Sequence, residues 1–322
     1  MKAVSSVIKG VALTMALSAI SVSSAQALTV YTAGPGSLAK GLAAGYEKKT
    51  GVKVNIFQAT TGKVMARLEA EQANPQADIL ISASWDTAED LHNRGWLLPY
   101  QSQNAEKVPA NLKTSDYVAQ GISALGIVWN SKSGTPEPKE WQDLTSTDFK
   151  DKITTPDPAL SGASLDLLIG LQNGMGDAAW KLFEQLKQNG MVVSGPNAQA
   201  VTPVMQGAKA AVFGAVDYVS YGNIAQGESL KVIFPASGTV IAPRPMMILK
   251  TTQHADDAKA FVDYVLSPEG QALVADAWLM PARTDVTAKR PLLNDLKILP
   301  TTNDGNSERS DVLKRFNTLF AQ

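Results

Sequence analysis

The fold class is decided by residues 28–62, LTVYTAGPGSLAKGLAAGYEKKTGVKVNIFQATTG. The runs at 28–31 and 52–57 are rich in β-branched and aromatic residues and indicate strands, whereas Leu38–Thr50 repeats its apolar residues at helical spacing. A second helix is predicted over Lys63–Ala73. Strand, loop and helix in this order predict parallel strands with helices on both faces, which is an α/β fold.

A third unit of the same kind follows along the chain. Ala77–Ile81 is predicted as a buried strand and Ala88–Arg94 as the helix after it. In sheets of this type ligands bind at the carboxyl ends of the strands. We therefore expect the loops at 33–37, 59–62 and 82–85 to lie along one edge of the sheet.

The middle of the chain predicts a second structural unit. Val118–Asn130 is an apolar run that is too long for one ordinary strand, and Gly121 and Gly126 allow it to bend. Further strands and helices alternate beyond it, among them a buried strand over Ala210–Val216 and a helix that opens at Asn197. The length of 322 residues is enough for two such units.

Composition and charge exclude several classes of function. With 44% apolar and 18% charged residues, the chain has the composition of a globular protein. Its 29 basic and 30 acidic residues give a net charge of −1, so no basic excess exists to bind nucleic acid. Because cysteine is absent, disulfides, thiolate nucleophiles and cysteine-bound metals are excluded.

The first 27 residues have the pattern of a secretory signal peptide. Lys2 and Lys9 flank the start of the segment, Val11–Ile20 is apolar, and Ala25-Gln-Ala27 is a typical cleavage site. The alternative is a buried N-terminal helix. We expect cleavage after Ala27, a mature chain that is not embedded in a membrane, and a location in the periplasm.

Loops rich in Gly, Ser and Thr precede three of the predicted helices, at 33–37, 60–62 and 161–164. Free N–H groups at a helix start, together with the helix dipole, attract an anion. The alternative is that these residues are simple N-caps. Together with the serines of the 82–85 loop, the candidate ligand-binding residues are Gly34, Gly36, Ser37, Thr60, Thr61, Gly62, Ser82, Ser84, Ser161, Gly162, Ala163 and Ser164.

Charged residues extend this candidate site. Asp217 ends a predicted apolar strand, beside Tyr218, and its carboxylate is suited to accept from ligand hydroxyls or an ammonium; the alternative is a helix cap. Arg244 lies between two prolines in an apolar stretch. A fixed guanidinium there suits a phosphate or a carboxylate, and the alternative is a surface arginine near a hinge.

Signals for catalysis are weak. His92 and His254 lie in the polar helical surroundings that are typical of solvated histidines. No H-E-x-x-H, G-x-S-x-G or Walker pattern is present. We therefore expect no enzymatic activity, no cofactor and no resident metal.

Short motifs are spread over the mature chain: Leu28-Thr-Val-Tyr31, Asn74-Pro-Gln-Ala-Asp78, Trp141-Gln-Asp-Leu144, Ser161-Gly-Ala163, Ser267-Pro-Glu-Gly-Gln271 and Met280-Pro-Ala-Arg283. With the signal peptide, they resemble the ABC-importer solute-binding proteins of the ferric-ion-binding type. The resemblance implies a type II periplasmic binding protein, in which two α/β lobes with central, mostly parallel sheets are joined by two hinge strands. It also implies a small solute as ligand, delivery to an inner-membrane ABC permease, and a monomer.

The resemblance divides the chain into lobes. The N-terminal lobe is expected over 28–123 and 245–298. The C-terminal lobe is expected over 124–244, with 299–322 as a tail and helix that pack on it. The hinge strands are expected near Ser123–Gly126 and Ala236–Pro243.

The resemblance leaves the ligand open. Where ferric-binding relatives carry adjacent tyrosines, this chain has Asp217 and Tyr218, and the family's histidine and acidic ligand fall at about Pro35 and Ala83. Only Tyr218 and Tyr221 are left as metal ligands. Ferric iron needs several anionic oxygens as ligands, and two tyrosines supply fewer than it requires.

The family's anion-binding positions, in contrast, are matched by Ser161–Ala163 and Asn197. This combination resembles the branches that bind phosphorylated organic solutes, such as 2-aminoethylphosphonate or a hexose phosphate. We expect the phosphoryl group at the helix N-termini with Arg244, and the amino or hydroxyl end of the ligand on Asp217. Ferric iron, thiamine, a polyamine and a carboxylate are the alternatives, and a secreted enzyme on the same fold is the least favoured.

Overall fold

The structure is a computed structural model that describes residues 27–299 and 306–321. The predicted signal peptide, except for Ala27 at its end, lies outside the described residues. Within them the chain forms eleven strands and ten α-helices. None of these helices combines the length and the apolarity that a membrane crossing requires.

The bounds of the elements follow the order of the chain. The strands are β1 (Leu28–Thr32), β2 (Val54–Gln58), β3 (Ile79–Ile81), β4 (Leu97–Leu98), β5 (Tyr117–Asn130), β6 (Ile153–Thr155), β7 (Val192–Val193), β8 (Ala211–Val216), β9 (Leu230–Ile233), β10 (Ile241–Leu249) and β11 (Met280–Pro281). The helices are α1 (Gly36–Thr50), α2 (Thr61–Ala70), α3 (Trp85–Asn93), α4 (Gly162–Met175), α5 (Asp177–Gln188), α6 (Asn197–Met205), α7 (Asp217–Ala225), α8 (Ala255–Val265), α9 (Pro268–Asp276) and α10 (Asn306–Phe320).

The strands join in the order β2-β1-β3-β10-β5-β8-β6-β7. Two parallel sets, β2-β1-β3 and β8-β6-β7, lie at opposite ends of this order. Between them β10 and β5 run antiparallel to each other and to their neighbours β3 and β8. We call the half that contains β1 the N-terminal lobe and the half that contains β6 the C-terminal lobe. The predicted α/β fold class is confirmed.

Strand β5 is the physical link between the lobes. Residues 117–124 pair with β10, while residues 125–130 pair with β8 and β9. All 14 residues of β5 are buried. Its pairing with β8 is irregular between Gly126 and Val128, where the sequence predicted a bend.

Each lobe has its own apolar core. In the N-terminal lobe, Tyr46 of α1 meets Phe261 of α8 edge-on, with ring centroids 5.3 Å apart. In the C-terminal lobe, the ring centroid of Phe213 of β8 lies 5.1 Å from that of Trp141 and 6.1 Å from that of Phe183. Each set of parallel strands is therefore held by helices packed on its faces.

The last helix, α10, packs on the C-terminal lobe. Val312 and Phe316 are buried in the core of that lobe, and Leu299 joins the same cluster. The predicted boundaries, with 28–123 and 245–298 in one lobe and 124–244 and 299–322 in the other, stay a prediction, because β5 and β10 contribute to both cores.

Most predicted elements lie within a few residues of the observed ones. Helix α6 begins at the predicted Asn197, and α3 begins three residues before the predicted start at Ala88. Helix α7 has no counterpart in the sequence prediction. It buries only Asp217 and Ser220, so no apolar stripe marks it as a helix.

Gly126 lies where β5 passes close to neighbouring backbone. A β-carbon at this position would lie 2.8 Å from the carbonyl oxygen of Ile233. Gly126→Ala is expected to lower the free energy of unfolding by about 1–3 kcal/mol, because the backbone must shift to admit the methyl group. Urea unfolding followed by circular dichroism measures the change.

Gly41→Ala is the matched control for this substitution. A β-carbon at Gly41 would meet nothing nearer than Leu273 Cδ2 at 3.9 Å, and alanine favours helix α1. The control variant is therefore expected to be at least as stable as the unchanged protein. Equal stability of the two variants would contradict the close approach at Gly126.

Candidate functional site

A crevice lies between the lobes, at the carboxyl ends of their parallel strands. It encloses a cavity of about 470 Å³. Nine of the predicted ligand-binding residues line it: Gly34, Thr60, Thr61, Ser161, Gly162, Ala163, Asn197, Tyr218 and Arg244. The loops at 33–37, 60–62 and 161–164 therefore meet in one crevice.

The N-termini of five helices converge on this crevice. Its lining includes the N-cap residues that precede α1, α2, α4, α6 and α7, which are Pro35, Thr60, Ser161, Pro196 and Val216. Among the five, only the side chain of Ser161 caps its own helix. The first N–H groups of a helix lack partners inside the helix and carry the positive end of its dipole. This arrangement is suited to an anion.

Four buried polar atoms of the crevice have no hydrogen-bond partner in the part of the chain that the structure describes. They are Thr60 Oγ1, Thr61 Oγ1, Asn197 Oδ1 and Arg244 Nε. Buried polar groups are normally hydrogen-bonded, because leaving one unpaired costs free energy. These atoms are therefore placed to bind polar groups of a ligand.

Arg244 is the buried positive charge of the crevice. It is 1% exposed, so the alternative of a surface arginine is wrong. Its Nη2 donates to the carbonyl oxygen of Ala33 at 2.5 Å, and its guanidinium lies 5.5 Å from the ring of Tyr218. Among the side chains that the structure describes, those of residues 27–299 and 309–321, none forms an ion pair with Arg244. The charge is therefore left for a ligand to neutralise.

Gln58 and Lys63 also line the crevice and were missed by the sequence reasoning. Gln58 ends β2, and its Nε2 donates to the carbonyl oxygen of Gly34 at 3.2 Å. Lys63 lies in the first turn of α2 and is exposed. A signal was present, because both residues flank the strand end at which the ligand was expected.

Seven predicted residues do not line the crevice: Gly36, Ser37, Gly62, Ser82, Ser84, Ser164 and Asp217. The hydroxyls of Ser82, Ser84 and Ser164 are already bonded, to Thr87 Oγ1, the Asp166 carboxylate and the Pro156 carbonyl oxygen respectively. Ser37 is exposed, and Gly36 and Gly62 lie in first helical turns beside the lining. These serines therefore serve local structure or lobe contacts.

Asp217 is contradicted as a ligand-binding residue. Its side chain is fully buried in an ion pair with Arg290 Nη2 at 2.5 Å. The backbone N–H groups of Ala124 and Tyr218 donate to the same carboxylate at 2.9 and 2.7 Å. Burial raises the pKa of the Asp217 carboxyl, while Arg290 and these hydrogen bonds oppose the rise. Asp217 thus fastens β5 to the segment that carries Arg290.

Other candidates for metal binding or catalysis also lie outside the crevice. Tyr221 stacks on Trp278 with ring centroids 6.1 Å apart, and burial raises its pKa to about 12. His92 pairs with Asp116 at 2.6 Å, and His254 is likewise absent from the lining. Within the part of the chain that is described, no cluster of three or more histidine, aspartate or glutamate side chains is placed to hold a metal ion.

A further set of polar contacts joins the lobes beside the crevice. Arg309 of α10 donates to Asp86 of α3 and to Asp166 of α4, and Ser84 donates to Asp166 at 3.1 Å. We call Ser84, Asp86, Asp166 and Arg309 the interlobe cluster. Burial, opposed by Arg309 and reinforced by the charge of Asp86, raises the pKa of Asp166 to about 6.

The lobes are in direct contact in this structure. A β-carbon on Gly162 would lie 2.9 Å from Ser84 Cβ and 3.4 Å from Thr61 Oγ1, both in the opposite lobe. The interlobe cluster and the close approach of Gly162 to Ser84 and Thr61 therefore show that the lobes are closed in this structure.

Asp217→Ala is expected to lower the free energy of unfolding by about 3–5 kcal/mol, because Arg290 is left as an uncompensated buried charge. His92→Ala is the control. The side chain of His92 is 52% exposed, and its loss is expected to change stability by less than about 1 kcal/mol. Urea denaturation measures both variants. A fully stable Asp217→Ala variant would refute the structural role of this pair.

Comparisons with known proteins bear on the role of the crevice. The sequence profile of a family described as bacterial extracellular solute-binding protein matches residues 74–308. A periplasmic protein of Salmonella typhimurium, provisionally named for binding 2-aminoethylphosphonate, is 29% identical over 262 residues. The match covers 75% of this chain and 73% of that protein.

Solved structures share the fold. The periplasmic binding protein AfuA from Actinobacillus pleuropneumoniae, with fructose-6-phosphate bound, is 24% identical with a TM-score of 0.81, over 91% of this chain and 98% of that one. Iron-bound HitA from Pseudomonas aeruginosa is 20% identical with a TM-score of 0.79, over 90% and 99%. Likeness at this level establishes the fold alone. Since the family profile covers more than half of the sequence, the chain belongs to the bacterial extracellular solute-binding proteins.

Proposed function

We propose that this protein is the periplasmic binding component of an ABC importer and that its ligand is a small organic phosphate or phosphonate. The phosphoryl group binds in the crevice, the lobes close over it, and the protein delivers the solute unchanged to an inner-membrane permease. The chain acts as a monomer after cleavage behind Ala27. The names of the relatives support this ligand class, since one is assigned 2-aminoethylphosphonate and one holds fructose-6-phosphate.

The observation that carries the proposal is the buried charge of Arg244 among the N-termini of five helices. The guanidinium and the free helical N–H groups all favour negative charge. A phosphoryl group presents three oxygens in a tetrahedral arrangement, so it can accept from several helix ends at once. A carboxylate has only two oxygens in one plane. The geometry therefore favours a phosphoryl group over a carboxylate.

Ferric iron is a poorer match to the donor set. Fe³⁺ is a hard cation that binds through several anionic oxygens. The described lining offers one phenol, Tyr218, together with the cations Arg244 and Lys63. Two positive charges repel a trivalent cation, and one phenol does not compensate for that repulsion, so the crevice disfavours iron.

Closure follows from contacts that need both lobes. A ligand in the crevice would contact both lobes, because the lining includes the starts of α1 and α2 in the N-terminal lobe and of α4, α6 and α7 in the C-terminal lobe. The interlobe cluster adds contacts beside the crevice. Closure is stabilised only by contacts that exist in the closed state, so ligand and cluster favour it together.

The decisive test is mass spectrometry of small molecules released from protein that was purified without denaturation. An organic phosphate or phosphonate in stoichiometric amount supports the proposal. Isothermal titration of the emptied protein against such compounds then measures their affinity. If none of them produces heat while ferric citrate yields a coloured complex, the proposal fails. Recovery of an intact ligand after incubation distinguishes a carrier from an enzyme.

Arg244→Met is expected to weaken binding of the phosphorylated ligand about 10–150-fold, since hydrogen bonds to a charged group contribute about 1.5–3 kcal/mol. The ligand-free variant is expected to be at least as stable as the unchanged protein, because an unpaired buried charge has been removed. Isothermal titration and thermal unfolding provide the two readouts.

Arg94→Met is the matched control, because Arg94 pairs with Glu69 and Asp90 at the surface, outside the crevice. Its affinity should remain within about twofold of the original value. Comparable losses in both variants would mean that Arg244 does not contact the anion.

Asp166 is expected to take up a proton when the lobes close. Opening hydrates this carboxyl and moves it away from Asp86, so its pKa falls from about 6 toward its ordinary value. Between about pH 4 and pH 6, Asp166 is therefore protonated in a larger fraction of closed molecules than of open ones. A fall in pH through this window favours closure. Titration in buffers of different ionisation enthalpy measures the protons taken up on ligand binding.

Asp166→Asn provides the comparison for this measurement. The ionisation of the ligand is the same for both proteins, so the difference between them isolates Asp166. We expect the unchanged protein to take up more protons at pH values near 5. The same proton count for both proteins would be evidence against the role of this carboxyl.

A further inference from the structure

The charge of the crevice has one sign. Among its lining residues, all of which are described, the ionisable groups are Lys63, Arg244 and Tyr218. No aspartate or glutamate is among them. A ligand that enters therefore meets two positive charges and five helix N-termini, and no carboxylate lines the crevice beside them.

Four carboxylates lie within three residues of the lining along the chain, and each has a partner outside the crevice. Asp86 and Asp166 both pair with Arg309. Asp217 precedes Tyr218 but is fully buried against Arg290. Asp157 precedes the 161–164 loop, lies outside the lining, and accepts from the backbone N–H of Ala159 at 2.8 Å. None of the four lines the crevice, so none is placed to hold an ammonium group of a ligand.

An aromatic face is the other common partner of an ammonium group. Tyr218 is the aromatic residue of the lining, and the guanidinium of Arg244 already lies 5.5 Å from its ring centroid. A second cation at that ring would lie beside the first. The crevice thus disfavours an ammonium group at both kinds of partner.

The unpartnered groups are instead suited to hydroxyls. Asn197 Oδ1 is a neutral acceptor, since its Nδ2 already donates to Ser161 Oγ at 2.8 Å. The unpartnered hydroxyls of Thr60 and Thr61 can each donate one hydrogen bond and accept others. A ligand hydroxyl can donate to the amide oxygen and accept from a threonine, without adding charge.

We propose that this crevice selects phosphorylated or phosphonate solutes that carry hydroxyl groups and rejects those that carry an ammonium group. The selection rests on the proposed function, because it presumes a phosphoryl group near Arg244. Its physical basis is the lack of any carboxylate in the lining beside two cations. A sugar phosphate or a hydroxyalkylphosphonate fits this chemistry, whereas 2-aminoethylphosphonate does not.

Matched pairs of compounds test the selection. Isothermal titration at neutral pH compares 2-hydroxyethylphosphonate with 2-aminoethylphosphonate, and glucose-6-phosphate with glucosamine-6-phosphate. Within each pair one hydroxyl is exchanged for an ammonium. We expect the hydroxyl compound to bind at least tenfold more tightly in any pair that binds.

The outcomes separate the two proposals. If an amino compound binds as tightly as its hydroxyl partner, or more tightly, the selection is overturned while the phosphoryl site stands. If none of the four compounds binds and no organic phosphate is released from the purified protein, the proposed function and the selection fail together.

A substitution tests the physical cause. Ala198 lines the crevice in the first turn of α6, where an aspartate is compatible with the helix dipole. Ala198→Asp is expected to reduce the preference for the hydroxyl compound at least tenfold, because it supplies the missing carboxylate. Ala198→Asn, which has nearly the same shape and no charge, is expected to leave the preference unchanged. If both variants show the original preference, the missing carboxylate is not its cause.

Discussion

Arg244 carries a charge that the folded protein does not neutralise by itself. An unpaired buried charge is costly, and the Ala33 carbonyl and the Tyr218 ring compensate it only in part. The rest of the architecture concentrates the same sign of potential at this point, because five helices begin around it. An anion in the crevice therefore relieves an imbalance that is built into the fold, and its binding free energy includes that relief.

The contrast with Arg290 shows how the same residue type serves two purposes. The side chain of Arg290 is fully buried as well, but Asp217 neutralises it and two backbone donors complete the carboxylate's hydrogen bonds. That pair lies outside the lining of the crevice and links the segment after β11 to β5. Arg244 sits on β10 between Pro243 and Pro245, without such a partner. The presence or absence of one carboxylate separates a cation that is paired within the fold from one that we propose to bind the ligand.

Local patterns in the sequence were sufficient for most of the elements, though not for α7, and for part of the candidate site. Residues 28–62 predict β1, α1, β2 and the start of α2, because periodicity and helix-opening residues are local signals. The loop that contains Thr60 and the buried Arg244 were found in the same way. Asp217 was misjudged because its partner Arg290 lies 73 residues along the chain. Ser84 was misjudged for the same reason, since Arg309 is 225 residues away.

Strand β5 pairs with strands of both lobes, and this shared strand affects how the protein unfolds. Removing it from one lobe would also strip the other of a central strand. On heating, the two lobes should therefore unfold together in one cooperative transition rather than one after the other. Such all-or-none behaviour means that a form with one lobe folded and the other unfolded does not accumulate. The same continuous strand that aligns the two walls of the crevice thus also couples the unfolding of one lobe to that of the other.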